Sequence, residues 1–476
     1  MDAIPPPPSI RRWQDSIPTS SQAWCSTTCV EGAVMRRRTW TTRMVAIGIL
    51  LPAFAAHAID GLNYSLQVGL EHSDDMNQSA VNPIGQSALL PQINFDWTER
   101  GSVLQADVNG QVQYRDYLGG AFDNEIRGQL SGIVNWIILP QRLSFDFEDY
   151  AGVQPVNVFA TNAPDNQQQT NVFSLGPTLQ FLLGSALKGE ADVRLTSTTA
   201  SVTREFNSQR TSGAFRAIRD LSPTDQLSGN VEAEHVHLTD ATGGPDYDRY
   251  ASYLRYQSKL AQIDLDAALG YSKLDFSQAA GRSGVLARGS LTWHATASSQ
   301  LEMHVARQFS DAAEDLMIDP ATLLARTTGG PIVAGSVPIT SQIYLEKRID
   351  VAYAFRSTRF DFRVAPFYEK LDYSIVPGQD FIANGATGQS GHGATLNANY
   401  RLRPLWSIGF NASEDTRKYA QVGRLDEDLT YGVDLLNQLT HHWSWRVDLI
   451  HNQRSSSVAF QGFRENVAML TVIFNR

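Results

Sequence analysis

Residues 103 to 117 read VLQADVNGQVQYRDY, and alternate positions of that stretch carry two incompatible surfaces. Leu104, Ala106, Val108, Gly110, Val112 and Tyr114 make an apolar face, whereas Gln105, Asp107, Asn109, Gln111, Gln113 and Arg115 make a polar one. A period of two is the pattern of a β-strand with one greasy and one wet side. The same alternation returns at Leu62 to Glu71, Gln92 to Trp97, Gln262 to Leu269 and Asp428 to Leu435. Counting such segments predicts about 20 strands, with about 18 as the lower bound.

The connections between these segments sort into two kinds. Short ones are expected at Thr98–Ser102, Leu139–Arg142, Gly184–Lys188, Leu221–Asp225, Ser258–Gln262, Thr296–Gln300, Arg356–Arg359, Arg403–Leu405 and Thr440–His442. Between them lie longer polar or Gly-rich ones, including Asp149–Thr170, Thr239–Asp246, Ser310–Thr340 and Val376–Gly391. Alternating tight turns and long loops predict an all-β fold, a transmembrane antiparallel up-and-down β-barrel of the outer-membrane kind. Hydrocarbon offers no partner to an unpaired backbone N–H or C=O, so a spanning sheet must close on itself.

Met35 to Arg43 is basic, the following MVAIGILLPAFAA is apolar, and Ala56-His57-Ala58 completes a secretory signal peptide with cleavage expected after Ala58. Residues 1–58 are therefore read as a leader, 1–34 being an upstream extension, and 59–476 as the barrel. Both cysteines, Cys25 and Cys29, fall in the leader. The remainder has no thiol for a disulfide, a metal or a nucleophile. Beyond residue 58 there are 33 Lys+Arg and 46 Asp+Glu, a net charge of −13, which argues against nucleic acid as a partner. Charged residues make up 18% of the chain and no apolar run is long enough for a spanning helix.

Six of the nine tryptophans lie outside the leader: Trp97, Trp136, Trp293, Trp406, Trp443 and Trp445. All stand on the apolar parity of their strands close to a short turn, as a periplasmic aromatic girdle requires. Lumen-lining charges are expected at Asp107, Asp146, Glu148, Glu232, Glu234, Asp264 and Asp266, against Arg115, Arg127, Arg194, Arg255, Arg363, Arg401 and Arg446. Such ladders either set a field across an open pore or pair and fill a closed one.

Enzymatic and metal chemistry lack a complete motif. His442 and Ser444 share a strand face but sit at the lumen side of a turn, with no orienting third group. His235 and His237 share a face, a pattern more often interfacial than metal-binding. Asp74-Asp75 and Asp246/Asp248 are expected as solvated carboxylates rather than a calcium loop. No enzyme activity, cofactor or metal is expected. A first strand opening near Gly61 leaves no room for an N-terminal plug, so any constriction has to come from an infolded loop. Ser310–Thr340 is the longest candidate: DAAEDLMIDPATLLA suits a helical turn or two and GGPIVAGSVP lets the chain bend back. A simple external loop fits the same residues.

The opening YSLQVGLEHSDDMNQS and the closing GFRENVAMLTVIFNR resemble outer-membrane barrels of a β-barrel porin type found with exopolysaccharide and exosortase systems. The resemblance departs at Asp75, where an Asp-Asn pair is usual, and at the end, Phe474-Asn475-Arg476, where a terminal aromatic is usual. Phe474, on the lipid parity, is the expected signal to the barrel-assembly machinery. The resemblance implies a channel in the outer membrane of a Gram-negative bacterium, in contact with lipopolysaccharide and with periplasmic polysaccharide-export proteins. A general diffusion porin and a structural or surface-display barrel with a blocked lumen are the alternatives; cargo and oligomeric state stay open.

Overall fold

The computed structural model describes residues 61–240, 242–318, 332, 335–373 and 388–476. Residues 1–60, with the expected signal peptide and both cysteines, lie outside the described residues, as do parts of the Ser310–Thr340 and Val376–Gly391 connections.

Twenty antiparallel strands pair in chain order, and the last pairs with the first. The strands are β1 (Leu62–Ser73), β2 (Gln86–Arg100), β3 (Leu104–Tyr117), β4 (Glu125–Leu139), β5 (Leu143–Pro155), β6 (Gln167–Leu182) and β7 (Lys188–Ala200). Next come β8 (Ser208–Asp220), β9 (Asp225–Leu238), β10 (Tyr247–Lys259), β11 (Ile263–Phe276), β12 (Arg282–Thr296) and β13 (Ser299–Ser310). The ring is completed by β14 (Tyr344–Arg356), β15 (Phe360–Tyr373), β16 (Gln389–Arg403), β17 (Trp406–Tyr419), β18 (Arg424–Gln438), β19 (Trp443–Ser456) and β20 (Phe463–Asn475). One helix, α1 (Ala312–Ile318), follows β13. The sheet is a closed 20-stranded barrel.

All nine expected tight turns connect an even strand to the next odd one, and the long connections occupy the opposite rim. Both ends of the sheet, Leu62 and Asn475, lie on the tight-turn rim. One expected loop is much shorter than read: β5 runs on to Pro155 and β6 begins at Gln167, so Asp149 is a strand residue. Its alternation is hidden because Asp149 and Asn171 take outward positions, where Asn171 Nδ2 donates to the carboxylate.

Cross-strand register fixes which face each residue takes. Leu70 stands opposite Leu89 and Leu470, Leu66 opposite Ile93 and Phe474, and Val112 opposite Gly128. These outward side chains are exposed, as Val68 (51%) and Leu269 (65%) illustrate. Their inward neighbours are mostly amides, hydroxyls and charges, for example Gln67, Gln92 and Gln113. Inward apolar residues gather at the long-loop end, with Val172 and Ala200 in one cluster, Val236 and Leu274 in another, Leu90 and Met469 in a third; a further cluster, Tyr253, Ala268 and Leu286, lies nearer mid-wall. Both faces of the wall are dry at the long-loop end because loops fold into the barrel.

At two seams the wall is held by more than its ladder. Across β1–β20, Asp74 accepts from the backbone N–H of Asn466 at 2.7 Å and from its Nδ2 at 2.6 Å, and Asp75 accepts from the Ser79 N–H at 3.0 Å. Of these two carboxylates, both expected in solvent, Asp74 ties the first loop to the last strand and Asp75 braces a turn within that loop. Asp75 is 3% exposed. On the other side, β4–β5 pairing ends at Leu130 opposite Ala151. Above it, the Gln169 amide of β6 takes over, accepting from Gly128 N–H at 3.1 Å and donating to Gly128 O at 2.7 Å and Gly152 O at 3.0 Å. The upper end of β5 is thereby released from β4.

Pro177 has no N–H, and the β6–β7 register skips from Leu175–Leu195 to Thr178–Asp192. Beside it, a Cβ on Gly176 would lie 1.8 Å from the Val193 carbonyl oxygen. The wall closes there only over glycine. Gly176→Val is expected to abolish most heat-modifiable, compact migration on unboiled gels, whereas Gly152→Ala, with open space around its Cβ, leaves it unchanged.

Candidate functional site

The connection from β13 to β14 begins with Asp311, whose position between strand and helix gives its carboxylate two tasks. Oδ1 accepts from the N–H groups of Ala313 at 2.9 Å and Glu314 at 3.1 Å, capping the first turn of α1. Oδ2 accepts from Arg210 of β8 at 2.7 Å and from the Tyr247 hydroxyl of β10 at 2.9 Å. Arg249 of β10 extends the network to Glu234, at 2.8 Å, and to Glu314 of α1. Asp315 accepts from Tyr344 of β14 and from Ser310 Oγ at 3.0 Å. The apolar side of α1, Ala312, Ala313 and Leu316, packs with Ile339 against Val172 of β6, Ala200 of β7 and Phe206.

Farther along, the same connection reaches the opposite wall. Arg127 of β4 donates to the Ile332 carbonyl at 3.4 Å, Gly335 N–H donates to Val153 O of β5 at 2.8 Å, and Val337 N–H donates to Gln154 Oε1 at 3.2 Å. β4 and β13 are nine places apart in a ring of 20 strands. The chain therefore crosses the lumen, as the infolded reading of Ser310–Thr340 expects; α1 accounts for its helical part, and the rest of the apolar run lies outside the described residues. Gly335 lies against the buried Gln154 amide, which a Cβ there would meet at 2.4 Å and have to displace.

A second insertion comes from the β5–β6 loop, residues 156–166. Phe159 packs edge-on to Tyr419 of β17 at 5.0 Å and lies under the Arg424 guanidinium of β18 at 5.4 Å. Arg454 of β19 donates to Ala160 O at 3.0 Å. Nothing in the sequence announces this crossing, because its anchors are ordinary strand residues; the one trace is an aromatic, Phe159, in a polar loop.

The charges read as lumen-lining all take inward register positions, but they occupy two environments. Toward the long-loop rim they are buried and paired: Arg115 with Glu71, Arg127 with Glu125, and Glu234 with Arg249 and Arg210. Deeper in the wall Asp146 pairs with Arg194 at 2.6 Å, Arg255 with Asp266, and Arg446 with Asp448 at 2.9 Å; Glu232 accepts from Tyr253, and Glu148 stands across from Ile133. Toward the tight-turn rim they are wet: the side chains of Asp107, Asp264 and Arg363 are 52%, 48% and 47% exposed, and Arg401 is exposed. The lumen is thus open to water on the tight-turn side and packed on the long-loop side.

Trp97, Trp136, Trp293, Trp406, Trp443 and Trp445 all take outward positions near the tight-turn rim. Trp406 meets Trp445 edge-on at 5.6 Å, and Trp443 packs on Phe474 at 5.1 Å. His235 and His237 also face outward, each beside its own carboxylate, Asp248 and Asp246, at 2.8 Å. His442 lies 2.9 Å from the Asn475 carbonyl oxygen and stacks near Phe474, while Ser444 is buried on the inward side, so the two do not form a base and nucleophile. Among the described residues no group of three His, Cys, Asp or Glu could hold a metal, and no helix is long and apolar enough to cross a membrane.

No family model matches the sequence, and no curated protein matches it. Among solved structures, the siderophore receptor PirA of Pseudomonas aeruginosa is similar at 12% identity and a TM-score of 0.42, covering 88% of this chain and 81% of its own. The FrpB iron transporter of Neisseria meningitidis (F5-1 variant) is 9% identical with a TM-score of 0.43, over 87% of this chain and 82% of its own. OccK2 (OpdF) of P. aeruginosa is 10% identical with a TM-score of 0.37, over 88% of this chain and 99% of its own.

The inserted segment carries opposed titrations. Burial raises Asp311, but Arg210 and Arg249 outweigh it and hold the carboxyl well below the ordinary range. Burial, then the charges of Glu346 and Glu369, push Asp315 well above that range. Stabilisation by Asp311 is complete above the unfolded value of about 4 and is lost as pH falls through its depressed one; that by Asp315 is complete below about 4 and is lost as pH rises through its raised one. Hydrogen-exchange protection of α1 is therefore expected to peak between the two, at mildly acidic pH. Asp315→Asn should extend protection to alkaline pH, and an unchanged profile in that variant would remove Asp315 from this role. Arg210→Ala leaves Asp311 buried without its cation at a cost of about 3–5 kcal/mol. Loss of α1 protection with intact heat-modifiable migration is the expected result.

Proposed function

We propose that this chain is an outer-membrane channel whose passage is controlled by the segment between β13 and β14. A closed barrel with an exposed apolar outer wall and a polar interior suits a bilayer, since every backbone group is satisfied within the ring. Strands of 12 to 16 residues, at about 3.3 Å per residue and a tilt near 40°, exceed the roughly 25 Å apolar band of such membranes. The observation that carries the gating reading is the crossing itself: α1 docked on Arg210 and Arg249, and Ile332 to Val337 held on β4 and β5.

For cargo, the reading favoured is a hydrated polysaccharide moving outward. The sequence resemblance at the two chain ends supports it, and so does a lumen lined by amides and hydroxyls with both signs of charge interspersed, which binds sugar hydroxyls weakly enough to release them. The outward tryptophans and Phe474 then act at the periplasmic interface and in assembly. Residues 59–476 form the working barrel after removal of the leader.

Single-channel recording of refolded residues 59–476 in a planar bilayer tests this, with residues 312–341 replaced by a short Gly-Ser linker as companion. The intact chain is expected to be nearly silent and the deletion to conduct. Steady large conductance of the intact chain would instead make it a diffusion porin, and silence in both, with folding shown, a structural barrel. Replacing Trp97 and Trp443 together by Asp is expected to cut membrane assembly several-fold, because two aromatic anchors are lost from the membrane–water interface; unchanged assembly would remove them from the girdle.

A further inference from the structure

On the outer wall, within four residues of the long-loop rim, cross-strand register sets Arg307 of β13 opposite Lys347 of β14, Lys347 opposite Lys370 of β15, Lys370 opposite Ser390 of β16, and Ser390 opposite Lys418 of β17. Four cations thus stand in one row across five strands of a chain whose net charge is −10. Like charges directly opposed on neighbouring strands repel. Elsewhere on this rim several outward charges stand in opposite-sign pairs, as in His235–Asp248, His237–Asp246 and Lys273–Asp275.

In the row a single carboxylate, Asp372, serves two cations, at 2.8 Å from Lys347 and 3.3 Å from Lys370. Arg307 donates to the Val285 carbonyl, and among the described residues Lys418 pairs with no carboxylate; Glu427 of β18 lies diagonal to it. Immediately below the row, toward the barrel's waist, Val305, Ile349 and Tyr368 are exposed on the same face. Cations above and bare apolar surface below match a phosphate headgroup above acyl chains.

We propose that this row binds the phosphate groups of a multiply phosphorylated outer-leaflet lipid, resting on the membrane reading above. Two or more phosphates bridging the row would supply the missing counter-charge, through charge-assisted hydrogen bonds, to residues whose apolar stems already lie on the wall. The lipid would thereby brace β13 to β17, the sector from which the lumen-crossing segment departs.

The test reconstitutes the full mature barrel into phosphatidylcholine vesicles containing bisphosphorylated lipid A, and measures retained lipid A by native mass spectrometry after detergent extraction. Wild type is expected to keep it, and Arg307→Gln/Lys347→Gln/Lys370→Gln/Lys418→Gln to reduce its retention by roughly tenfold or more, because four charge-assisted hydrogen-bond donors to phosphate are removed together. Lys347→Arg/Lys370→Arg should retain it, which separates charge from folding. Equal retention by the glutamine variant with compact, heat-modifiable migration would overturn the inference. Displacement of lipid A by millimolar inorganic phosphate alone would also overturn it, because a free anion would then suffice. Failure of wild type to enter pure phosphatidylcholine vesicles would instead sink the membrane reading.

Discussion

The whole structure depends on one backbone requirement, that every N–H and C=O in a wall of this kind find a partner within the sheet. Pairing of β20 with β1, reinforced by Asp74 on Asn466, removes the two edges that an open sheet would leave. Closure then dictates the rest. Outward and inward faces are separated by parity alone, the ends of the sheet share one rim, and a ring of 20 strands encloses a lumen too wide for side chains to fill.

Filling it from one end is what the long connections do. Two of them leave their own strands and anchor far across the ring, one on Arg127 and Gln154, the other on Tyr419, Arg424 and Arg454. The release of upper β5 from β4, with Gln169 bridging the gap, is the local device that lets the β5–β6 loop turn inward. Burial on the long-loop side makes the paired charges there structural, since an uncompensated charge in a dry site is expensive. Their counterparts on the tight-turn side remain hydrated and line the vestibule.

Strand number, turn positions and facing were legible in the sequence because period-two alternation is a local signal and each tight turn interrupts it. Legibility failed where both faces of a strand have the same surroundings. Asp149 in β5 was read as loop because it is polar at an outward position, where Asn171 satisfies it. Val172, Val236 and Leu274 break the polar inward rhythm because inserted residues dry that face. Asp74 and Asp75 looked like solvent-facing loop acids; their partners Asn466 and Ser79 belong to the sheet seam and a loop turn, and the former is nearly the whole chain away.

By itself, the sequence determined that the chain is an all-β barrel with one apolar face, since alternation and turn spacing act over a few residues. It also singled out the long β13–β14 connection as able to fold inward, but could not choose between an inward and an outward path. Only the tertiary structure decided that path, because the choice rests on Arg210, Arg249, Arg127 and Gln154 meeting Asp311, Glu314, Ile332 and Val337 across the lumen. The row of Arg307, Lys347, Lys370 and Lys418 is of the same kind: four cations scattered along the sequence become one surface through strand register alone.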